Sequence, residues 1–373
     1  MESKTESQEQ EYDADGRQII DGNLLEGGGQ ILRIAAALSC ILHIPIRVKN
    51  IRAGRDKPGL KAQHMTGLQL VASLCNGKLD KCSLGSLEIT LDPGPIQSGQ
   101  FLADTKTAGS ICLLIQVALP CLLYSSDVCT LHLHGGTNCD MAPQIDYLTL
   151  VFKPIAEIFG LNFDVDIKRR GYFPKGGGEV ILKSKPVNCL VGVEITQPGE
   201  LFQVYSRSFV AGNLPEHLSK KVSQSISRAI KQNIPAAVEI KQESMKEVSA
   251  IGSGLGTIVV AETTTGCLLA GSSLGKPRTP AEDAGTAAVK ELMEAIDSKG
   301  CVDQYLQDQI ILLMALAEGH SKVLSGPLTL HTRTAIHVVQ LMTQARFTLT
   351  EQENKTVVIA CQGLGHLNPY LKG

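Results

Sequence analysis

The sequence predicts a layered α/β fold: a large domain built from repeated strand–helix units, with a smaller α/β domain inserted into it. Three observations carry this expectation. From residue 18 onward, β-type and helix-type segments alternate, separated by short glycine-rich turns. A strand–helix–strand unit recurs before residue 185, a weak structural repeat without sequence identity. Over 190–295 the order changes to β-α-β-β-α, after which the first pattern resumes. The expected division is an acidic disordered tail over 1–17, a discontinuous large domain over 18–189 and 296–373, and an insert over 190–295.

The glycines at 27–29 precede an apolar stretch that reads as a helix over 31–44, followed by a strand over 44–51. A helix over 58–76 and a strand over 87–93 follow, then a buried helix over 109–123. The alternating residues of 129–134 read as a strand, and 145–159 as a helix. In the insert, 201–211, 236–242 and 257–270 read as strands, 214–232 as a basic amphipathic helix and 280–298 as a second helix. The chain closes with a helix over 302–317, a strand over 327–330, a helix over 332–345 and a hairpin of 347–350 with 356–361.

At 373 residues and 43% hydrophobic, the chain can bury a large core, which excludes wholesale disorder. Its net charge of −2 excludes grip on nucleic acid by bulk charge, though not a local basic site. Residues 1–17 hold six acids against Lys4 and Arg17, so the body carries about +2. Trp is absent and aromatics are only 4%, which leaves few platforms for stacking bases. The eleven cysteines are odd in number, form no CxxC pair and sit largely in apolar runs, so they read as reduced thiols of an intracellular protein. No signal-type apolar segment opens the chain, and 110–124, its most apolar run, is too short to span a membrane.

Two apparent nucleotide signatures fail. Gly271-Ser-Ser-Leu-Gly275-Lys276-Pro277 has one residue too few for a P-loop, and Pro277 stands where a hydroxyl must hold Mg²⁺. Gly252-Ser-Gly254-Leu-Gly256 is not GxGxxG. His132 and His134 share a strand face but lack a third metal ligand nearby.

Glu26-Gly27-Gly28-Gly29-Gln30 is more informative. The glycines admit a ligand close to the backbone, the following helix offers free N–H groups to an anion, and Glu26 suits a cation that itself holds phosphates. Arg33 lies on nearly the same face as Gln30. A tight turn with a solvated Glu is the plain alternative. Residues 47–64 carry six cations against Asp56 alone, and Arg52 and Arg55 beside Gly54 suit phosphate capture, with Gln63-His64 just beyond. A solvated face is the alternative there. On the helix over 302–317, Tyr305, Asp308, Gln309 and Leu312 fall on one face, and polar groups on an apolar stripe need partners. His331 stands where strand meets helix. A helix N-terminus disfavours imidazolium and attracts phosphate, the setting for a nucleophilic neutral imidazole, against the alternative of a simple capping residue.

Taken together, these segments resemble one family, the RNA 3′-terminal phosphate cyclases. The matching residues are Glu26-Gly-Gly-Gly-Gln30-Ile-Leu-Arg33, Ile51-Arg-Ala-Gly-Arg55-x-x-Pro-Gly59, Gln63-His64, Gly135-Gly-Thr-Asn138 and Ala142-Pro143. They continue with Arg170-Gly-x-x-Pro174-x-Gly-Gly-Gly178, Tyr305-Leu-x-Asp308-Gln309 and His331-x-x-Thr334. The match spans roughly residues 18–365 and leaves out the acidic tail. The glycine motif at 170–178 is shared with a ribosome-biogenesis relative, a non-catalytic reading that His331 argues against.

The resemblance implies a large domain of three βαβαββ-type repeats with a smaller inserted α/β domain. It implies ATP, Mg²⁺ or Mn²⁺, and an RNA carrying a 3′-terminal phosphate. His331 would be the nucleophile that takes AMP, and Glu26 would hold the divalent ion. Gln30, Gln116, Pro143, Tyr305, Asp308 and Gln309 match positions around the nucleotide. Arg33, Arg55, Gln63 and His64 match phosphate-binding positions, their division between ATP and the RNA 3′-phosphate left open. Nuclear location is likewise implied by the resemblance.

Overall fold

The computed structural model describes residues 2–3 and 10–371. Three sheets repeat one plan: a parallel strand pair joined through a helix, followed by an antiparallel hairpin. The first aligns Gln18–Asp21 parallel to Ile46–Lys49, with Ile89–Asp92 and Lys78–Asp80 added antiparallel. The second pairs Gly99–Asp104 parallel to Cys129–Gly135 and adds the hairpin of Asn162–Gly171 and Gly178–Lys185. The third pairs Glu194–Ile195 parallel to His320–Ser325 and adds Val357–Gln362 and Arg346–Glu351. A parallel pair needs a crossover, and in the third sheet that crossover contains the insert.

The helices Gly29–Leu42, Ala62–Leu74 and Ile111–Leu122 pack on one another between the sheets. Ala35, Ala36, Ala37 and Leu38 are buried in succession, so the helix Gly29–Leu42 is apolar nearly all round and runs through the core. It stops at His43, whose left-handed backbone (φ 53°) closes the last turn. Residues 201–297 build a fourth sheet, in the order Glu239–Glu247, Leu201–Ala211, Gly254–Thr263, Leu268–Leu274. Helices His217–Asn233 and Ala281–Asp297 cover it, enclosing a core of their own around Val204, Val222, Ile226 and Leu292. Among the described residues no helix is long and apolar enough to cross a membrane, and all eleven cysteines are free thiols.

Several elements differ from the sequence reading. The helix expected over 302–317 is two short ones, Leu306–Gln309 and Ile311–Leu316. Asp303 Oδ1 draws in the backbone N–H groups of Tyr305 and Leu306, so the chain turns before it coils. The strand expected over 327–330 lies earlier, at His320–Ser325, because Pro327 has no N–H to give a ladder and Thr329 caps the next helix. The segment 257–270 is a hairpin turned at Gly266 rather than one strand. The helix over 145–159 contains a π-helical turn at Leu148–Phe152, next to Pro154, which lacks the N–H of a regular turn. Ordered chain also begins before residue 18. Ile19 N donates to Glu11 O at 2.8 Å, Gln10 Nε2 to Leu341 O at 3.0 Å, and Arg17 Nε to Asp92 Oδ1 at 2.7 Å. Residues 1 and 4–9 of the acidic tail lie outside the described residues.

Asp303 stands at a junction of the two parts. Its carboxylate accepts from Tyr147 Oη at 2.6 Å and from Ala270 N at 2.9 Å, besides Tyr305 and Leu306. Burial nonetheless pushes its carboxyl up to about 6. Because the folded value exceeds the ordinary carboxylate value, the folded protein binds the extra proton. Stability on this account falls as pH rises from about 4 to about 6. Asp303→Asn is expected to flatten that limb, which urea unfolding between pH 4 and 7 would record.

Candidate active site

The turn after Gln18–Asp21 sets the site's floor. At Gly28 any Cβ would lie 2.0 Å from Glu26 Oε1, and at Gly29 a Cβ would lie 2.5 Å from His64 Nε2. Glycine at these two positions lets the Glu26 carboxylate fold back over the helix N-terminus and lets the His64 ring approach it. The first N–H groups of Gly29–Leu42 have no intrahelical acceptor, which makes this an anion-binding end of a long helix.

Glu26 Oε1 accepts a hydrogen bond from Arg55 Nη2, which also donates to Glu26 O at 2.7 Å. Glu26 Oε2 is buried and has no hydrogen-bond partner among the described residues. Glu26 N donates to Thr334 Oγ1 at 3.3 Å, tying the turn to the helix Leu330–Met342. Within that helix, His331 is the second residue after the Thr329 cap rather than a residue before its start. Gln307 holds this end in place. Its Oε1 accepts from Thr329 N at 2.9 Å and from Thr332 Oγ1 at 2.7 Å, while its Nε2 donates to Ser325 Oγ.

The His331 ring is exposed, and its Nδ1 lies 2.6 Å from Gln30 Oε1. Gln30 Nε2 donates to Asp308 Oδ2 at 2.7 Å, which fixes the amide's orientation. An oxygen can only accept, so Nδ1 carries a proton, and in the neutral ring Nε2 keeps its lone pair. Burial pushes the Asp308 carboxyl upward, against the opposing influence of His331, Arg33 and the Gln30 amide.

Gln30, Arg33, Gln116, Asp308 and Gln309 line one pocket, walled by Ile115, Leu148, Phe152 and Leu312. Its cavity volume is about 50 Å³. Arg33 also lines a second, smaller pocket with Gly29, Gln63 and His64. Gln63 Oε1 accepts from Ser110 N at 2.7 Å, leaving its amide N–H groups for a ligand. Burial, with the charges of Arg33, Arg52 and Lys61, pulls the His64 ring down to about 4. Neutral His64 accepts from Lys61 N at Nδ1, so its proton sits on Nε2, over Gly29. That is a hydrogen-bond donor aimed at an anion-binding helix end.

Tyr305 stands apart from both pockets. Its hydroxyl donates to Glu291 Oε1 on the insert's second helix, and its ring meets Tyr147 edge-on at 5.9 Å. Gln309 Nε2 donates to Tyr305 O at 2.6 Å, linking the tyrosine to the first pocket. Pro143 is half-buried beside Gln144 and lines neither pocket. Gln307 escaped the sequence reading altogether, as did Glu291. The spacing of 307 from its partners at 329 and 332 carries no pattern that a linear reading detects.

Comparison with known proteins follows the same residues. A model of the family described as RNA 3′-terminal phosphate cyclase matches residues 24–349. A probable RNA 3′-terminal phosphate cyclase of Dictyostelium discoideum is 40% identical over 360 residues, covering 93% of this chain and 83% of that one. The RNA 3′-terminal phosphate cyclase of Drosophila melanogaster is 37% identical, covering 95% of this chain and 99% of that one. That of Pyrobaculum aerophilum is 33% identical, with 93% and 98% covered. With its motifs spread over strands, turns and helices from Glu26 to Thr334, and with relatives of this identity along nearly its whole length, the chain belongs to the RNA 3′-terminal phosphate cyclase family.

Proposed function

We propose that this protein converts an RNA 3′-terminal phosphate to a 2′,3′-cyclic phosphate at the expense of ATP. The observation that carries the reading is the Gln30–His331 contact, which leaves an exposed imidazole with a free Nε2 beside an anion-binding helix end. Nε2 attacks the α-phosphorus of ATP, a histidine–AMP bond forms and pyrophosphate leaves. An oxygen of the RNA 3′-phosphate then attacks the same phosphorus, releasing His331 and forming an RNA-(3′)pp(5′)A anhydride. The vicinal 2′-hydroxyl attacks the 3′-phosphorus, AMP leaves and the cyclic phosphate remains. Arg33, Arg55, Gln63 and His64 supply charge and N–H donors for phosphate oxygens. Residues 18–189 and 296–373 act as the catalytic domain in this reading, and 190–295 as an insert whose Glu291 reaches Tyr305.

The buried Glu26 Oε2, without a hydrogen-bond partner among the described residues, fits a divalent cation such as Mg²⁺ or Mn²⁺. Among the described residues no group of three or more His, Cys, Asp and Glu is placed to hold a metal. Glu26 would therefore act as a single protein carboxylate, with phosphate oxygens and water completing the shell. When bound, such an ion offsets charge on the phosphates and on the departing pyrophosphate. Glu26→Gln is expected to raise the Mg²⁺ concentration for half-maximal turnover by about tenfold, read by titrating the metal at saturating ATP.

Gln30→Ala is expected to slow histidine adenylation about tenfold, the value of one well-placed hydrogen bond, beyond any loss of ATP affinity from the altered pocket wall. Single-turnover kinetics would separate the two. The overall reading is tested by supplying ATP, Mg²⁺ and an oligoribonucleotide with a 3′-phosphate, then digesting the product with phosphatase. Resistance to phosphatase supports cyclisation, and an unaltered 3′-phosphate would favour an RNA-binding role without transfer. The nuclear location belongs to this proposal too, and a fluorescent fusion would report it.

A further inference from the structure

Beyond the pockets lies an exposed surface that none of the roles above uses. The hairpin of Asn162–Gly171 and Gly178–Lys185 turns through Phe173, Pro174 and Lys175, and Phe173 is 78% exposed. Met141, 98% exposed, stands on the neighbouring loop, which meets this turn through the Asn138–Tyr172 bridge. On the insert side Gly254 lies under the Tyr172 ring, and Gly275 N donates to Leu255 O at 2.7 Å. That pairing brings the exposed loop of Lys276 and Arg278 alongside. Lys175, Lys276 and Arg278 make no ion pair among the described residues. Exposed Asp140 and, five residues past Arg278, exposed Asp283 are opposing charges here, and Asp104 is paired to Lys106 at 2.7 Å.

The surface is continuous with the second pocket. A Cβ at Gly176 would lie 2.1 Å from Thr107 O, so the turn rests on the loop at 105–109. The far end of that loop reaches Gln63, through Ser110 N and through Gly109, whose Cβ would lie 3.3 Å from Gln63 Cβ. Unpaired cations interleaved with an exposed ring form the footprint of single-stranded nucleic acid, since every base has a face to stack and every phosphate a charge to pair.

We infer that the RNA strand leading to the terminal phosphate runs across this surface, with upstream bases against Phe173 and Met141 and upstream phosphates against Lys175, Lys276 and Arg278. The inference rests on the proposed function for its choice of RNA. It supplies a binding path on a chain whose net charge and aromatic content are both low.

The test compares 3′-phosphorylated, 5′-fluorescein-labelled oligoadenylate of twelve residues with the 3′-phosphorylated dinucleotide. Phe173→Ala is expected to weaken binding of the longer RNA at least about fivefold by anisotropy. The triple variant K175A/K276A/R278A should flatten the slope of log K against log salt by about 2. Both variants should keep wild-type kcat/KM on the dinucleotide and wild-type adenylation of His331 by ATP alone. Unchanged affinity and salt slope for the longer RNA in both variants would overturn the inference and leave the surface to a protein partner. Absence of adenylation and cyclisation in the wild type would instead overturn the proposed function, while the anisotropy still decides the path.

Discussion

His331→Ala is expected to remove cyclisation by about 10⁴-fold or more, the scale on which loss of a covalent nucleophile acts. The ring is exposed, so its removal opens no cavity, and melting temperature should change little. ATP should still bind, because the pocket of Gln30, Arg33, Gln116, Asp308 and Gln309 keeps its walls. Loss of turnover with retained ATP binding and an unchanged melting curve distinguishes a nucleophile from a structural cap. His331→Asn is the sharper control, since an amide can keep the contact with Gln30 while lacking a nucleophilic nitrogen. It too should be inactive.

Asp146→Ala carries the largest expected effect on stability, about 3–5 kcal/mol. The Asp146 side chain is fully buried and accepts from Arg170 Nη1 and Nη2 at 2.7 and 2.8 Å and from Arg207 Nη1 at 3.0 Å. Arg170, 4% exposed, also pairs with Glu247 at 2.7 Å and lies over the Phe209 ring at 5.2 Å. The cluster joins the glycine hairpin of the second sheet to strands of the insert. Truncating Asp146 removes the bidentate partner of the buried Arg170 and leaves only Glu247 against its charge, which costs more than the pair itself contributes. Burial alone would raise the Asp146 carboxyl, but the hydrogen bonds and charge of Arg170, then Arg207, hold it below its ordinary value. Its contribution is therefore complete above the unfolded value and fades as pH falls through the folded one. The gap between wild type and variant should be constant at neutral pH and narrow below about pH 4. Denaturant midpoints across that range would show it.

The sequence made some of this legible for physical reasons. Local signals worked where a residue's neighbours in sequence are its neighbours in space. The glycines before Gln30 foretold an open helix end, and the polar Asp308 and Gln309 on an apolar stripe foretold a pocket lining. The strands Ile46–Lys49 and Cys129–Gly135 were readable because apolar residues alternate along them. Where a single hydrogen bond redirects the chain, the reading failed. Asp303 breaks the helix expected over 302–317, and Thr329 moves the helix start ahead of His331. The alternating Phe163, Val165 and Ile167 marked a strand that the charges between them obscured. The Asp146 cluster was out of reach, since its arginines lie 24 and 61 residues away. Nothing local distinguishes a buried carboxylate of this kind from a solvated one. The same holds for Gln30 and His331, 301 residues apart: each was singled out, yet only the fold shows that one orients the other.

The central claim is that His331 Nε2 takes AMP from ATP, and the most direct measurement needs no RNA. Wild-type protein is incubated with Mg²⁺ and ATP labelled at the α-phosphate, denatured, and the label counted on the chain, with His331→Ala beside it. The account predicts an adduct that acid releases and alkali leaves intact, carried by a peptide containing His331 and absent from the variant. A folded, ATP-binding protein that takes up no label, or one whose label survives in the His331→Ala variant, would contradict it.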